Sequence, residues 1–218
     1  MKRTISIIML LVLSVALFAA CDKENTYTTA GDGNTSKGTT STSTDYQITI
    51  DTSKTYYADI DIKDYGKIVV QLDAKMAPIT VDNFVNLANS GFYNGLTFHR
   101  IMEGFMMQGG DPNGNGTGGS GKNIYGEFAV NGHNNTISHK RGVISMARAT
   151  PYNSASSQFF IMHDDSISLD GMYAAFGWVI EGLDVVDAVC EDSEPIDNNG
   201  TIPKDEQPVI NSITVRVE

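Results

Sequence analysis

The sequence predicts a mainly β domain, a closed or nearly closed β-barrel with helical caps, set behind an N-terminal leader and a tether. Three observations predict it. Short runs that alternate or stay apolar recur at 56–62, 67–72, 97–101, 105–108, 143–147, 158–162, 174–180 and 209–217, as strands do. Only two stretches carry helical spacing. A polar, aliphatic-poor composition also gives way to a globular one at about Tyr46. Many short strands with two helices favour a barrel over a layered α/β sheet.

The leader comes first. Lys2 and Arg3 precede an apolar run from Ile5 to Ala20, broken only by Ser6 and Ser14. Its 16 residues fall short of a membrane span, which needs about 20, so a secretory signal is expected. Leu17-Phe18-Ala19-Ala20-Cys21 resembles a bacterial lipobox, in which Cys21 becomes the lipidated first residue. An extracytoplasmic, lipid-anchored protein is therefore expected. Residues 22–45 hold eight Thr, three Ser and three Gly. They cannot bury enough apolar surface to offset ordering and read as a flexible spacer.

From Tyr46 onward the domain itself begins. Strands 56–62 and 67–72 flank a turn at Asp64-Tyr65-Gly66. Thr80 reads as the N-cap of a helix whose apolar face is Val81, Phe84, Val85 and Ala88, ended by Gly91. Leu183 to Val189 reads as a second, short helix with Leu183, Val186 and Cys190 inward. If Cys21 is lipidated, Cys190 has no disulfide partner and is expected to fill core space.

Composition removes several functions. The 218 residues include 26 acidic and 15 basic side chains, a net charge of −11, against the Lys/Arg footprint that nucleic acid or anionic lipid requires. Cleavage after Ala20 would leave 13 basic groups and a net −13. The charge is uneven. Residues 181–218 carry ten acidic and two basic groups, whereas residues 97–150 carry three and five.

Residues 111–122 imitate three binding loops. Gly114-x-Gly116-x-x-Gly119 fits a dinucleotide fingerprint, but no helical pattern follows it. Gly116 to Lys122 resembles a phosphate loop with Asn123 where Ser or Thr should ligate magnesium. Asp111-x-Asn113-x-Asn115-Gly116 opens like a calcium loop whose closing glutamate is Lys122. Each lacks the residue that decides its chemistry, leaving a flexible surface loop as the expectation. His99, His133, His139 and His163 show no metal-ligand spacing, and no metal site is predicted.

FHRIMEGFMMQGGD, residues 98–111, sets Arg100, a permanent cation, among Phe98, Phe105, Met106 and Met107, with Gln108 nearby. Regular alternation would send Phe98 and Arg100 to one face. Ser157-Gln158-Phe159-Phe160-Ile161 and Leu169-Asp170-Gly171 follow. Together these segments resemble the cyclophilin family of peptidyl-prolyl isomerases over roughly residues 56–217. The resemblance implies a closed eight-stranded antiparallel β-barrel capped by two α-helices. It implies a catalytic Arg100 with Gln108 contacting the peptide backbone, and a proline pocket of Phe105, Met106, Phe160 and Leu169. Ala147 and Gln158 match the neighbouring peptide groove. Tyr173 stands where many members have histidine, and Arg148 where eukaryotic members have asparagine. Ser168 replaces the tryptophan associated with tight cyclosporin binding, so weak affinity for that drug is expected.

The chemistry suits these residue types. Rotation about an X–Pro bond needs an apolar cup for the ring and a donor that favours the twisted amide, with no metal, cofactor or covalent intermediate. The expected partners are proline-containing polypeptides, not nucleic acid, and the expected state is a monomer held to the membrane through lipid on Cys21. A second reading keeps the same barrel as a chaperone or adaptor that holds proline segments with little catalysis.

Overall fold

The computed structural model describes residues 46–218. The expected signal peptide, Cys21 as the expected lipidation site and the expected tether through residue 45 lie outside the described residues. All eight expected strands form: β1 (Tyr56–Ile62), β2 (Gly66–Leu72), β3 (Thr97–Met102), β4 (Met106–Asp111), β5 (Val143–Met146), β6 (Phe159–Met162), β7 (Ala175–Glu181) and β8 (Ile210–Val217). Two helices join them, α1 (Pro78–Asn89) and α2 (Leu183–Asp192). Every strand pairing is antiparallel, in the order β3-β4-β6-β5-β7-β2-β1-β8. Among the described residues no helix is long and apolar enough to cross a membrane.

The sheet is an open half-barrel, which corrects the expected closed one. β3 and β8 are its edges. They approach only at one end, where Gly95 N–H donates to the Ile210 carbonyl and Ile210 N–H to that of Leu96, both at 2.8 Å. Further along, β3 meets the irregular segment before β8: Phe98 N–H reaches the Pro208 carbonyl and Ile101 N–H that of Gly200. Ile202 N–H returns a bond to the His99 carbonyl at 3.0 Å, but Pro208 has no N–H to return to Phe98, so the ladder breaks there.

The concave side holds the main core. Phe84 of α1 packs on Tyr93, Phe159 and Phe176 at centroid distances of 5.2–5.6 Å. Phe98 meets Phe159 edge-on at 6.0 Å. α1 starts two residues before the expected Thr80 cap, with Ala77 at the N-cap position and Pro78 opening the first turn. Its free N–H groups are taken from a distance. The buried Glu127 carboxylate accepts from Ile79 N–H (3.0 Å), Thr80 N–H (2.7 Å) and the Thr80 hydroxyl (2.7 Å). Burial pushes the Glu127 carboxyl above its usual range even so. Residues 46–50 are fastened to the same helix, with Asp82 accepting from Tyr46 Oη, from Thr49 N–H and Oγ1, and from Ile50 N–H. α2 runs three residues past its expected end and buries Val186, Val189 and Cys190, while Leu183 is half-buried. Burial raises the Cys190 thiol to about 12, so it stays protonated as core filling.

Candidate active site

One irregularity creates the site. The β3–β4 register slips between Phe98 and Arg100, so Phe98 faces Gly109 whereas Arg100 faces Gln108. His99 takes up the bulge. Phe98 consequently turns into the core and Arg100 to the opposite, convex face, correcting the expectation that they share one. The His99 ring is buried with neither nitrogen hydrogen-bonded, and burial holds its pKa below the usual value against the pull of Asp111. On the convex face the neighbours follow by register: Gln108 pairs with Phe160, and Phe160 with Ser145. Met106, Phe160 and Met162 form a second apolar cluster there, with Phe105, Ala147, Leu169 and Tyr173 at its margin.

The sequence-derived site residues, Gln158 excepted, surround one recess. A cavity of about 230 Å³ is lined by Arg100, Phe105, Met106, Gln108, Ala147, Arg148, Phe160, Leu169 and Tyr173. Gln158 lines an adjoining cavity of about 440 Å³, which shares Gln108, Ala147 and Arg148 with the first. Ser168 lies exposed on the turn that carries Leu169 and lines neither.

Arg100 is held at one nitrogen and loosely engaged at the others. Its Nε donates to the Asn199 carbonyl at 2.7 Å. The terminal nitrogens find weak acceptors: Met102 Sδ at 3.2 Å, Met106 Sδ at 3.6 Å and Gln108 Oε1 at 3.4 Å. Burial lowers the guanidinium pKa from its ordinary value, yet arginine remains charged at any working pH. A relay leads away from it. Gln108 Nε2 donates to Gln158 Oε1 at 2.9 Å, and Gln158 Nε2 donates to the Gly116 and Gly118 carbonyls. Because Gln108 takes Arg100 on its oxygen, its amide can only present hydrogens to Gln158.

A second network backs the apolar cup. His139 stacks beneath Phe160 at 6.0 Å and meets Tyr173 edge-on at 6.4 Å. Its Nδ1 lies 2.9 Å from Asp170 Oδ1 and its Nε2 3.0 Å from Ser145 Oγ. The Asp170 carboxylate, held below its usual range by hydrogen bonds against the effect of burial, can only accept, so Nδ1 carries the proton and Ser145 donates to Nε2. Burial keeps His139 below its ordinary pKa. The contact is therefore a hydrogen bond from a neutral ring, not an ion pair. Ser–His–Asp order suggests acyl transfer, but Ser145 is wholly buried and out of reach of any substrate.

Several participants escaped the sequence reading. Asn199 acts through its backbone carbonyl, which no side-chain pattern can signal. An Asx-type turn was nonetheless readable in Asp197-Asn198-Asn199-Gly200-Thr201, where Asp197 accepts from Asn199 N–H, Thr201 N–H and Thr201 Oγ1. The glycine-rich loop lies at the surface, as expected, but it is fastened there. Asp111 accepts from the N–H groups of Asn113, Asn115 and Gly116, and the loop forms one wall of the larger cavity. Among the described residues no group of three or more His, Cys, Asp or Glu could hold a metal.

Comparison with known proteins agrees with this geometry. Residues 57–215 match the family described as cyclophilin type peptidyl-prolyl cis-trans isomerase/CLD. The chain is similar to a peptidyl-prolyl cis-trans isomerase of Helicobacter pylori, 48% identical over 139 residues, covering 63% of this chain and 82% of the relative. It is also similar to peptidyl-prolyl cis-trans isomerase B of Bacillus subtilis, 46% identical over 123 residues, covering 56% and 82%. A crystal structure of a Cryptosporidium parvum cyclophilin-type isomerase, determined in the presence of the dipeptide Ala-Pro, superposes with a TM-score of 0.64 at 30% identity. It covers 73% of this chain and 98% of that one.

Proposed function

The chain belongs to the cyclophilin-type peptidyl-prolyl cis-trans isomerases and is such an enzyme, and from that premise we propose that Arg100 promotes the rotation and that the enzyme serves exported chains from a lipid anchor on Cys21. The prolyl ring enters the cavity of Phe105, Met106, Phe160 and Leu169. The presence of Ala-Pro in the parasite structure supports a proline ligand for this fold. Rotation must break amide resonance against a barrier of roughly 18–20 kcal/mol. As the amide twists, its nitrogen becomes pyramidal and gains a lone pair that Arg100 can meet with a terminal N–H. Such a bond accelerates rotation only insofar as it is stronger in the twisted state than in the planar one. Gln108, oriented by Arg100 and Gln158, engages the peptide backbone.

The observation that carries this mechanism is the asymmetric tethering of Arg100. Its Nε is committed to Asn199, while the terminal donors rest on sulfur and a long amide contact that a substrate can displace. Arg100→Ala in the full chain should retain the fold and lose about 100- to 1,000-fold in kcat/KM, the usual cost of one such donor. Near-normal exchange of a proline peptide by NMR would overturn the mechanism.

Lys2-Arg3, the apolar run and Cys21 support export and anchoring. Uncatalysed prolyl isomerisation takes about 10–100 s at 25 °C, slow enough to limit folding outside the cytoplasm. Metabolic labelling with a tagged fatty acid should mark the protein and fail in Cys21→Ser, which should also leave the membrane fraction. Equal labelling of both proteins would remove the anchor.

A further inference from the structure

The groove is cationic, and among the described residues none that is acidic lines it. The residues around both cavities include Arg100 and Arg148 and not one Asp or Glu. Elsewhere in the described residues Lys67, Arg141, Arg216, His139 and His163 face carboxylates within 4 Å, but neither groove arginine joins an ion pair. In a chain with 26 acidic and 15 basic groups, ten of the acids lie in the last 38 residues, and among the described residues none lines either cavity. The carboxylate that bears on Arg100 is Asp197, whose oxygens are taken up by its own turn.

Arg148 is built to keep its charge in place. Its Nε donates to the Met172 carbonyl at 3.0 Å, and one terminal nitrogen to the Ala149 and Thr150 carbonyls at 3.0 and 3.2 Å. The guanidinium carbon lies 5.1 Å from the Phe128 ring, 5.3 Å from Tyr152 and 4.8 Å from Tyr173. Carbonyl dipoles and ring faces hold the cation in place without cancelling its charge, and the second terminal nitrogen makes no hydrogen bond among the described residues. Aromatic walls of low polarity also focus its field into the groove.

We infer that the groove selects polypeptides with an acidic side chain within two residues of the proline, and that Arg148 reads that carboxylate. The inference rests on the proposed seating of the proline beside Arg100. An extended chain advances about 3.3–3.6 Å per residue, so a side chain one or two positions from the proline reaches the adjoining cavity, which Arg148 also lines. Arg100 is committed to the prolyl amide, which leaves Arg148 to read the charge.

The full chain would be assayed for kcat/KM on proline peptides carrying Glu, Gln or Lys, in turn, at each of the two positions on either side of the proline. Glu should exceed Gln by about two- to fivefold at one or more positions, with Lys below Gln, as for partly exposed charge pairs. The preference should vanish in 1 M salt, where the Debye length is about 3 Å. Arg148→Gln should abolish it and Arg148→Lys should restore it. A Glu/Gln ratio of one or less at all four positions would overturn the inference, as would a preference that survives both high salt and Arg148→Gln. The salt series on the unaltered chain decides the matter if the substitution disturbs folding. Failure to turn over any peptide, neutral ones included, would instead overturn the seating of proline on which the inference depends.

Discussion

The two faces of β3, β4, β6 and β5 are built from alternate residues of the same four strands, yet they do different work. The concave parity (Phe98, Met107, Ile144, Phe159 and Ile161) is wholly buried and consists of hydrocarbon, sulfur and rings. The convex parity (Arg100, Met106, Gln108, Ser145 and Phe160) makes a cup with an open mouth and hydrogen-bonding groups around it. One strand set thus serves stability and chemistry at once, separated by a step of one residue. Neighbours in sequence should therefore fail in different ways when changed.

The adjacent phenylalanines give the sharpest test. Phe159→Ala removes a ring that packs on Phe84, Tyr93 and Phe98 and should cost about 3–5 kcal/mol of stability in denaturant unfolding. Phe160→Ala removes a ring with one side facing the cavity, so fewer packing contacts are lost. It should cost less stability but lower kcat/KM by about tenfold or more, as losing a central aromatic contact does. Equal stability losses, or an unaffected rate in Phe160→Ala, would break the distinction between the faces.

The two faces were not equally legible. Alternation and turn residues gave all eight strands within a few residues, because a half-buried strand writes its period into the sequence. Parity at the site was not legible, because a bulge at His99 adds one residue that no periodicity records, and Phe98 and Arg100 separate because of it. Closure was not legible either: β3 meets an irregular segment, and Pro208 stands opposite Phe98 where a ladder would need a donor. The site residues were readable through their resemblance to a family, and the structure brings them round two adjoining cavities. What supports them was hidden where it acts through backbone, as at the Asn199 carbonyl, just as the support of α1 by Glu127 was hidden by its distance in sequence.

A smaller effect is expected where the glycine-rich loop meets the convex face. A Cβ added at Gly118 would overlap Asp111 Oδ1 and lie 3.1 Å from Asn113. Asp111 is the anchor of that loop, and the Gly118 carbonyl holds Gln158. Gly118→Ala should thus cost about 1–3 kcal/mol, the usual penalty of overpacking. If the loop is only a wall of the groove, the loss should appear mainly as a higher KM, with kcat little changed. A drop in kcat at constant KM would instead tie the loop to Arg100 through the Gln158–Gln108 relay.

The least disruptive test uses protons, because one buried histidine serves each side of this division. His99 occupies the bulge beside the core, and His139 lies behind Phe160. Burial lowers both below the ordinary value of 6.5, against the pull of Asp111 on the first and Asp170 on the second. Both rings are therefore neutral in the folded chain near neutral pH. As pH falls through 6.5 the unfolded chain takes up protons that the folded chain refuses, so the unfolded state gains ground. Stability should be full above about pH 6.5 and decline as pH drops towards the folded values, which thermal unfolding at stepped pH would show. The carboxylates of Asp111 and Asp170, both held low in the folded chain, add their own loss only further down, below the ordinary 3.8. NMR titration of the two rings separates the faces. Protonation of His139 forces its Nε2 to donate where it now accepts from Ser145, so kcat/KM should fall with the titration of His139 and not with that of His99. A midpoint that stays flat from pH 7 to 5, or a rate that follows His99 alone, would show that the support of the cup does not run through His139.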